Sequence, residues 1–168
     1  MSAGSAPPRV DATIEARLGV LVLYVPLIGF VVDLAIRLAS GVDDWKQTAL
    51  DVGVLWLIGI TGFILASGHL FMPAATAASI GWAASPFQWE VGLANLAYGV
   101  LGVTASSFDR DYTLAAIVSF SIYLLGAAAG HVRSMVHDHN FAPGNTGYVF
   151  WFDILAPVLL IVLYIATG

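Results

Sequence analysis

The stretch TLAAIVSFSIYLLGAAAGHVRSMV, residues 113–136, contains a single charged side chain, Arg133, in 24 residues. A helix of this length rises about 36 Å, which is enough to cross a hydrocarbon core about 30 Å thick. Backbone groups in hydrocarbon must satisfy their own hydrogen bonds, and the stretch shows no strand-like alternation. It therefore predicts a membrane-spanning α-helix, and the fold class follows from it.

Four further apolar runs of similar length flank this stretch on both sides. They extend approximately over Leu18–Leu38, Leu50–Met72, Phe87–Ser107 and Tyr148–Thr167. The sequence therefore predicts an all-α, polytopic transmembrane bundle of about five spanning helices, over residues 17–168. Residues 1–16 predict a flexible or surface-lying tail. The uncharged stretch 74–85 is too short to span, and it predicts a short interfacial helix, with a re-entrant segment as the alternative.

The composition excludes several classes of protein. Hydrophobic residues make up 59% of the chain and charged residues only 10%, against about 25% charged in soluble domains. The chain has no cysteine, which excludes disulfides, thiolate metal sites and iron–sulfur clusters. The net charge is -5 without a basic cluster, which argues against nucleic acid as a partner. The expected partners are the lipid bilayer and other membrane subunits or a second copy.

Small residues predict how the helices pack. On the third predicted span a stripe with spacings of three and four lets another helix approach closely. Gly126 and Gly130 form a similar signal on the fourth span, and Gly62 and Ala66 on the second. The stripe consists of Gly92, Asn95, Gly99, Gly102 and Ser106.

Ionisable residues collect at one end of the predicted bundle. With five alternating spans, His69, Glu90, His131 and Asp153 all reach the same membrane face. Such residues within spans are costly and are functional candidates by default. His69 and His131 could be axial ligands of a b-type haem. Alternatively His69, Glu90, His131 and Asp153 could enclose a divalent metal.

A third interpretation needs no cofactor. In it the same side chains satisfy one another in a polar network beneath the headgroups. The network would also include Asn95, Arg133 and Asn140. Aromatic residues at this end, Trp82 among them, predict an interfacial belt. No catalytic motif is present, so the sequence assigns no catalytic residue.

Five segments together resemble an uncharacterised family of small prokaryotic integral membrane proteins, a domain of unknown function. The resemblance runs from about Asp51 to the C-terminus, and it implies a location in the prokaryotic plasma membrane without implying an activity. The segments are GHLFMP (68–73), SPFQWEVGLANLAYGVLGV (85–103), LLGAAAGHVRSM (124–135), NFAPGNTG (140–147) and WFDILAP (151–157).

From the sequence we expect an accessory or interaction subunit of the membrane, with a His/Glu polar site near one face. A haem- or metal-binding redox protein is the alternative, and a small-solute carrier is the third candidate. Carriers usually show internal inverted repeats, and none is visible in this sequence.

Overall fold

The computed structural model describes residues 22–168, and the regular structure in that range is entirely helical. The prediction of an all-α fold is confirmed. The predicted tail and the beginning of the first predicted span lie outside the described residues. In chain order the helices are α1 (Val25–Ala39), α2 (Trp45–Phe71), α3 (Pro73–Ile80), α4 (Phe87–Thr104), α5 (Arg110–His137) and α6 (Pro143–Ala166).

Three helices, α2, α5 and α6, are long and apolar enough to cross a membrane. The predicted number of five is therefore not supported within residues 22–168. The described part of α1 has 15 residues, or roughly 22 Å of helix, which is shorter than the hydrocarbon core. Helix α4 has 18 residues, but Gln88, Glu90 and Asn95 make it too polar to count among the candidate membrane spans.

The sequence also predicts helix caps at Asp44, Asp111 and Asn145, and at Ser85 together with Gln88. The structure agrees with these predictions in part. Asp44 caps α2, and its carboxylate accepts two backbone N–H groups of the first turn at 3.0 Å each. Helix α5 is capped by Asp109 and not by Asp111, since Asp109 accepts the backbone N–H of Tyr112 at 2.9 Å. Helix α4 does begin after Pro86, but without a side-chain cap from Ser85.

The cap at Asp44 yields a testable prediction. Asp44→Ala should lower the free energy of unfolding by about 1 kcal/mol, since the two N–H groups would lose their acceptor. The neighbouring variant Asp43→Ala should have almost no effect. Chemical unfolding of both variants in the same detergent measures the difference, and equal losses would contradict the capping role.

Helix α2 lies at the centre of the bundle. In its most apolar stretch 61% of the residues are buried inside the chain, against 33% for α5 and 28% for α6. Its middle part, Val54–Ile60, is a π-helix, and the hydroxyl of Thr61 donates to the carbonyl of Trp56 at 3.1 Å. The core around it is formed by Leu50, Val52, Val54, Leu57, Ile58, Ile117, Phe120, Leu124 and Leu160.

Glycines bring α2 and α4 into backbone contact. A methyl group added at Gly62 would overlap the backbone of Gly99 and lie 2.7 Å from the carbonyl oxygen of Asn95. One added at Gly102 would overlap the backbone of Gly59. The predicted stripe on α4 is thus the contact surface, with Ser106 exposed at its end.

The glycine pair on α5 behaves differently. Nothing lies within 4 Å of a methyl group added at Gly126 or Gly130. This predicted packing signal is therefore not used against another helix in residues 22–168, although its spacing is the same.

Candidate functional site

The buried polar site centres on His131, near the C-terminal end of α5. The side chain is enclosed, with the residue 3% exposed, and both ring nitrogens face side chains of α6. Nδ1 lies 2.7 Å from Oδ1 of Asn145. Nε2 lies 3.5 Å from Oδ2 of Asp153. Asn145 and Asp153 are themselves 0% and 3% exposed, so these contacts are closed to solvent.

The amide of Asn145 determines the tautomer of His131. Its Nδ2 donates to the carbonyl oxygen of His131 at 3.3 Å and to that of Asn140 at 2.9 Å. The reversed amide would place its oxygen against two carbonyl oxygens. Oδ1 must therefore face the ring, and since Oδ1 only accepts, Nδ1 of His131 carries a hydrogen.

With a hydrogen on Nδ1, the remaining question is whether Nε2 of His131 or the carboxyl group of Asp153 carries the proton between them. If Asp153 is ionised, Nε2 must be protonated, because a bare lone pair would otherwise face a carboxylate. If the imidazole is neutral, Asp153 must be the acid. Both arrangements contain one proton, and the neutral one avoids the desolvation of two charges. The pair is therefore a buried His–Asp contact in which the ring of His131 keeps a hydrogen on Nδ1.

Helix α3 and the loop between α5 and α6 cover this site. The indole of Trp82 stacks on the ring of His131, with centroids 5.6 Å apart. Its Nε1 donates to Oγ of Ser134 at 3.3 Å, and the same hydroxyl donates to Asp138 at 3.2 Å. Nδ2 of Asn140 also donates to Ser134 at 3.2 Å. The Ser134 hydroxyl thus accepts two hydrogen bonds and donates one.

The turn after α3 fits closely against this loop. Gly81 ends α3 with φ +80°, a conformation that favours glycine. A methyl group there would also lie 2.9 Å from Nδ2 of Asn140. Asn140 in turn donates to the carbonyl of Ile80 at 2.9 Å. The two covering segments are thus held together by a side chain that also contacts Ser134.

His69 belongs to a separate contact between α2 and α4. Its Nδ1 lies 2.6 Å from Oε1 of Gln88, which is buried. Glu90 is exposed, because two helical residues after Gln88 it points almost to the opposite side of α4. The predicted proximity of His69, Glu90 and His131 is therefore not supported: Gln88 takes the inward position.

The predicted metal ligands do not converge. No group of three His, Asp or Glu side chains in residues 22–168 could hold a metal ion. Of His69, Glu90, His131 and Asp153, the structure pairs His131 with Asp153. The haem prediction requires a ring nitrogen of His131 as the iron ligand, but both nitrogens already face Asn145 and Asp153.

The predicted polar network is divided. Asn140 lies in the covering loop next to the site. Asn95 is buried between α4 and α5, and its Nδ2 donates to Tyr123 at 2.9 Å. Arg133 is exposed on α5.

Three contributors were not recognised in the sequence for these roles. Asn145 had been interpreted as a helix cap, Trp82 as part of a membrane belt, and Gln88 as a capping residue. The NFAPGN run, residues 140–145, contained the best available signal, because its two asparagines lie in a short connection next to a histidine-bearing helix.

Three long apolar helices and a buried His–Asp pair define a helical protein with the features of a membrane-spanning chain. The chain belongs to DUF6790, a family of unknown function, which matches residues 17–168. This confirms the resemblance to an uncharacterised family and extends it to α1. The chain matches no curated protein and no solved structure.

Proposed function

We propose that this chain is a small integral membrane protein of the prokaryotic plasma membrane that acts as an accessory or interaction subunit. The observation that carries the proposal is the outward face of α5. Ile122 is 70% exposed and Val136 65%. Between them, no part of the chain that the structure describes lies within 4 Å of a methyl group added at Gly126 or Gly130. Small residues of this kind let a second transmembrane helix approach closely.

The buried polar site supports the same proposal. The nitrogens of His131 and the amide of Asn145 contact groups of the chain itself. Such a site fastens α6 and the covering loop to α5. Because these groups are already in contact with one another, a structural role is favoured over the alternative of a haem- or metal-binding redox protein. An absorption spectrum and metal analysis of the purified chain would test that alternative.

Cross-linking in native membranes tests the interaction role. Since the chain has no cysteine, Ile122→Cys introduces a single reactive thiol on the α5 face. We expect a discrete cross-linked product with a bifunctional thiol- and amine-reactive reagent. A product of twice the chain mass would identify a second copy, and one of another fixed mass would identify a different subunit.

The matched control is Val162→Cys on α6, where Val162 is 56% exposed. Adding Gly126→Leu to the Ile122→Cys chain should reduce the product, because leucine would hold a partner helix away. If Ile122→Cys gave no more product than the α6 control, the α5 face would not be an interaction surface.

A further inference from the structure

A cleft of about 200 Å³ lies at the opposite end of the bundle from His131. It is formed by α1, α2, α4 with its following turn, and the start of α5. Part of its wall is the beginning of the π-helix, with Val54 and Leu55. Such irregular helical turns occur frequently at functional sites. The cleft is far larger than the space one water needs.

Opposite charges line this cleft. Arg37 contacts Asp33 through Nε at 2.7 Å and Nη2 at 3.5 Å, while Nη1 has no hydrogen bond to another side chain in residues 22–168. Asp51 accepts from Gln47 at Oδ1, 2.8 Å away, and its second oxygen accepts no hydrogen bond from a side chain in the same range. Ser106 adds an exposed hydroxyl.

The balance of these charges restricts the ligand. Arg37 and Asp51 line the cleft, and Asp33, which is not part of the lining, already pairs with Arg37. A purely anionic ligand would therefore be repelled by the excess of negative charge. A purely cationic ligand would be repelled by the guanidinium of Arg37. A zwitterion satisfies both, with its anionic oxygens on Arg37 and its ammonium on Asp51.

The apolar wall indicates what is attached to that zwitterion. Val52, Val54, Leu55 and Val103 line the cleft beside the charged groups, and they suit a glycerol backbone or the start of an acyl chain. Arg37 and Asp51 themselves are exposed, as expected at a headgroup level. A primary ammonium can donate hydrogen bonds to Asp51, whereas a quaternary ammonium cannot.

We propose that this cleft binds a phosphoethanolamine zwitterion, with phosphate on Arg37 and ammonium on Asp51. The ligand is either the headgroup of a phospholipid or a soluble phosphoethanolamine ester. The proposal concerns a different end of the molecule from the α5 face and does not depend on a protein partner.

Thermal unfolding of the full chain in detergent tests the proposal. The probes are dioleoyl phosphatidylethanolamine, the matching phosphatidylcholine and phosphatidylglycerol, and soluble glycerophosphoethanolamine. We expect the ethanolamine lipid to bind about tenfold more tightly than the choline lipid, since the latter loses a hydrogen bond to a charged group. Phosphatidylglycerol should bind weakly, because it brings no positive charge.

Asp51→Asn should abolish the preference for ethanolamine over choline, whereas Asp111→Asn, an exposed carboxylate outside the cleft, should retain it. Ser106→Leu should reduce binding of the ethanolamine ligand by filling the cleft. Stabilisation by the lipid alone would identify a membrane lipid, and equal stabilisation by the soluble ester would identify a free solute. Equal binding of the ethanolamine and choline lipids, or an unchanged preference in Asp51→Asn, would overturn the proposal.

Discussion

Replacing Gly62 by leucine is expected to lower the free energy of unfolding by at least about 3 kcal/mol, the upper range for overpacking a tight contact. The first added carbon would already lie 2.7 Å from the carbonyl oxygen of Asn95 and would overlap the backbone of Gly99. Neither group is the end of a flexible side chain, so α2 and α4 must separate. Unfolding of the purified chain in mild detergent, followed by tryptophan fluorescence, measures the loss.

The matched control is Gly126→Leu, which makes the same exchange where nothing in residues 22–168 lies within 4 Å of the added carbon. In detergent it should leave stability nearly unchanged or raise it slightly, because leucine is a better helix former than glycine. Equal losses in the two variants would mean that helix propensity or insertion, and not the α2–α4 contact, determines the effect.

Local periodicity explains which parts of the fold could be predicted. The ion pair of Asp33 with Arg37, 2.7 Å in the structure, follows from a spacing of four on one helix. The glycine stripe on α4 follows from the same periodicity. Yet Gly126 and Gly130 satisfy the pattern as well and have no neighbour in residues 22–168. Spacing predicts that a face can pack, while the partner depends on the rest of the fold.

The site could be predicted only in its parts. His131 and Asp153 were both singled out, because ionisable residues in apolar helices need partners. Glu90 was singled out as an ionisable residue, whereas Gln88 is one turn before Gly92 and therefore lies on the packed face. Asn145 could not be assigned from spacing, because its contacts depend on how the α5–α6 loop folds back over α5.

The π-helix in α2 had no counterpart in the sequence analysis. Val54–Ile60 is a plain apolar run, and its composition fits an ordinary helix equally well. Its consequence is structural, because Val54 and Leu55 form part of the cleft wall near Arg37. Features of this kind arise from packing against neighbouring helices.

Two isosteric exchanges in the His131 site should differ strongly in how far they lower the free energy of unfolding. Asn145→Asp is expected to lower the free energy of unfolding by about 3 to 5 kcal/mol, the range for an uncompensated buried charge. The new carboxylate would face the two carbonyl oxygens that now accept from Nδ2 at 3.3 and 2.9 Å. An oxygen that cannot donate would take the place of an amide nitrogen that donates two hydrogen bonds. Asp153→Asn should cost no more than about 1 kcal/mol, because an amide N–H can donate to Nε2 as a carboxylic acid would.

The expected order of these two losses follows from the tautomer of His131. If Nδ1 of His131 carries the hydrogen, Nε2 accepts from an asparagine at position 153, and the imidazole stays neutral and satisfied. Denaturant unfolding of both variants gives the two free energies, and ¹⁵N NMR of the His131 ring should show a proton on Nδ1 in the parent chain and in Asp153→Asn. A greater loss in Asp153→Asn than in Asn145→Asp would mean that the site depends on a charged carboxylate. The amide of Asn145 would then not be the group that directs the proton.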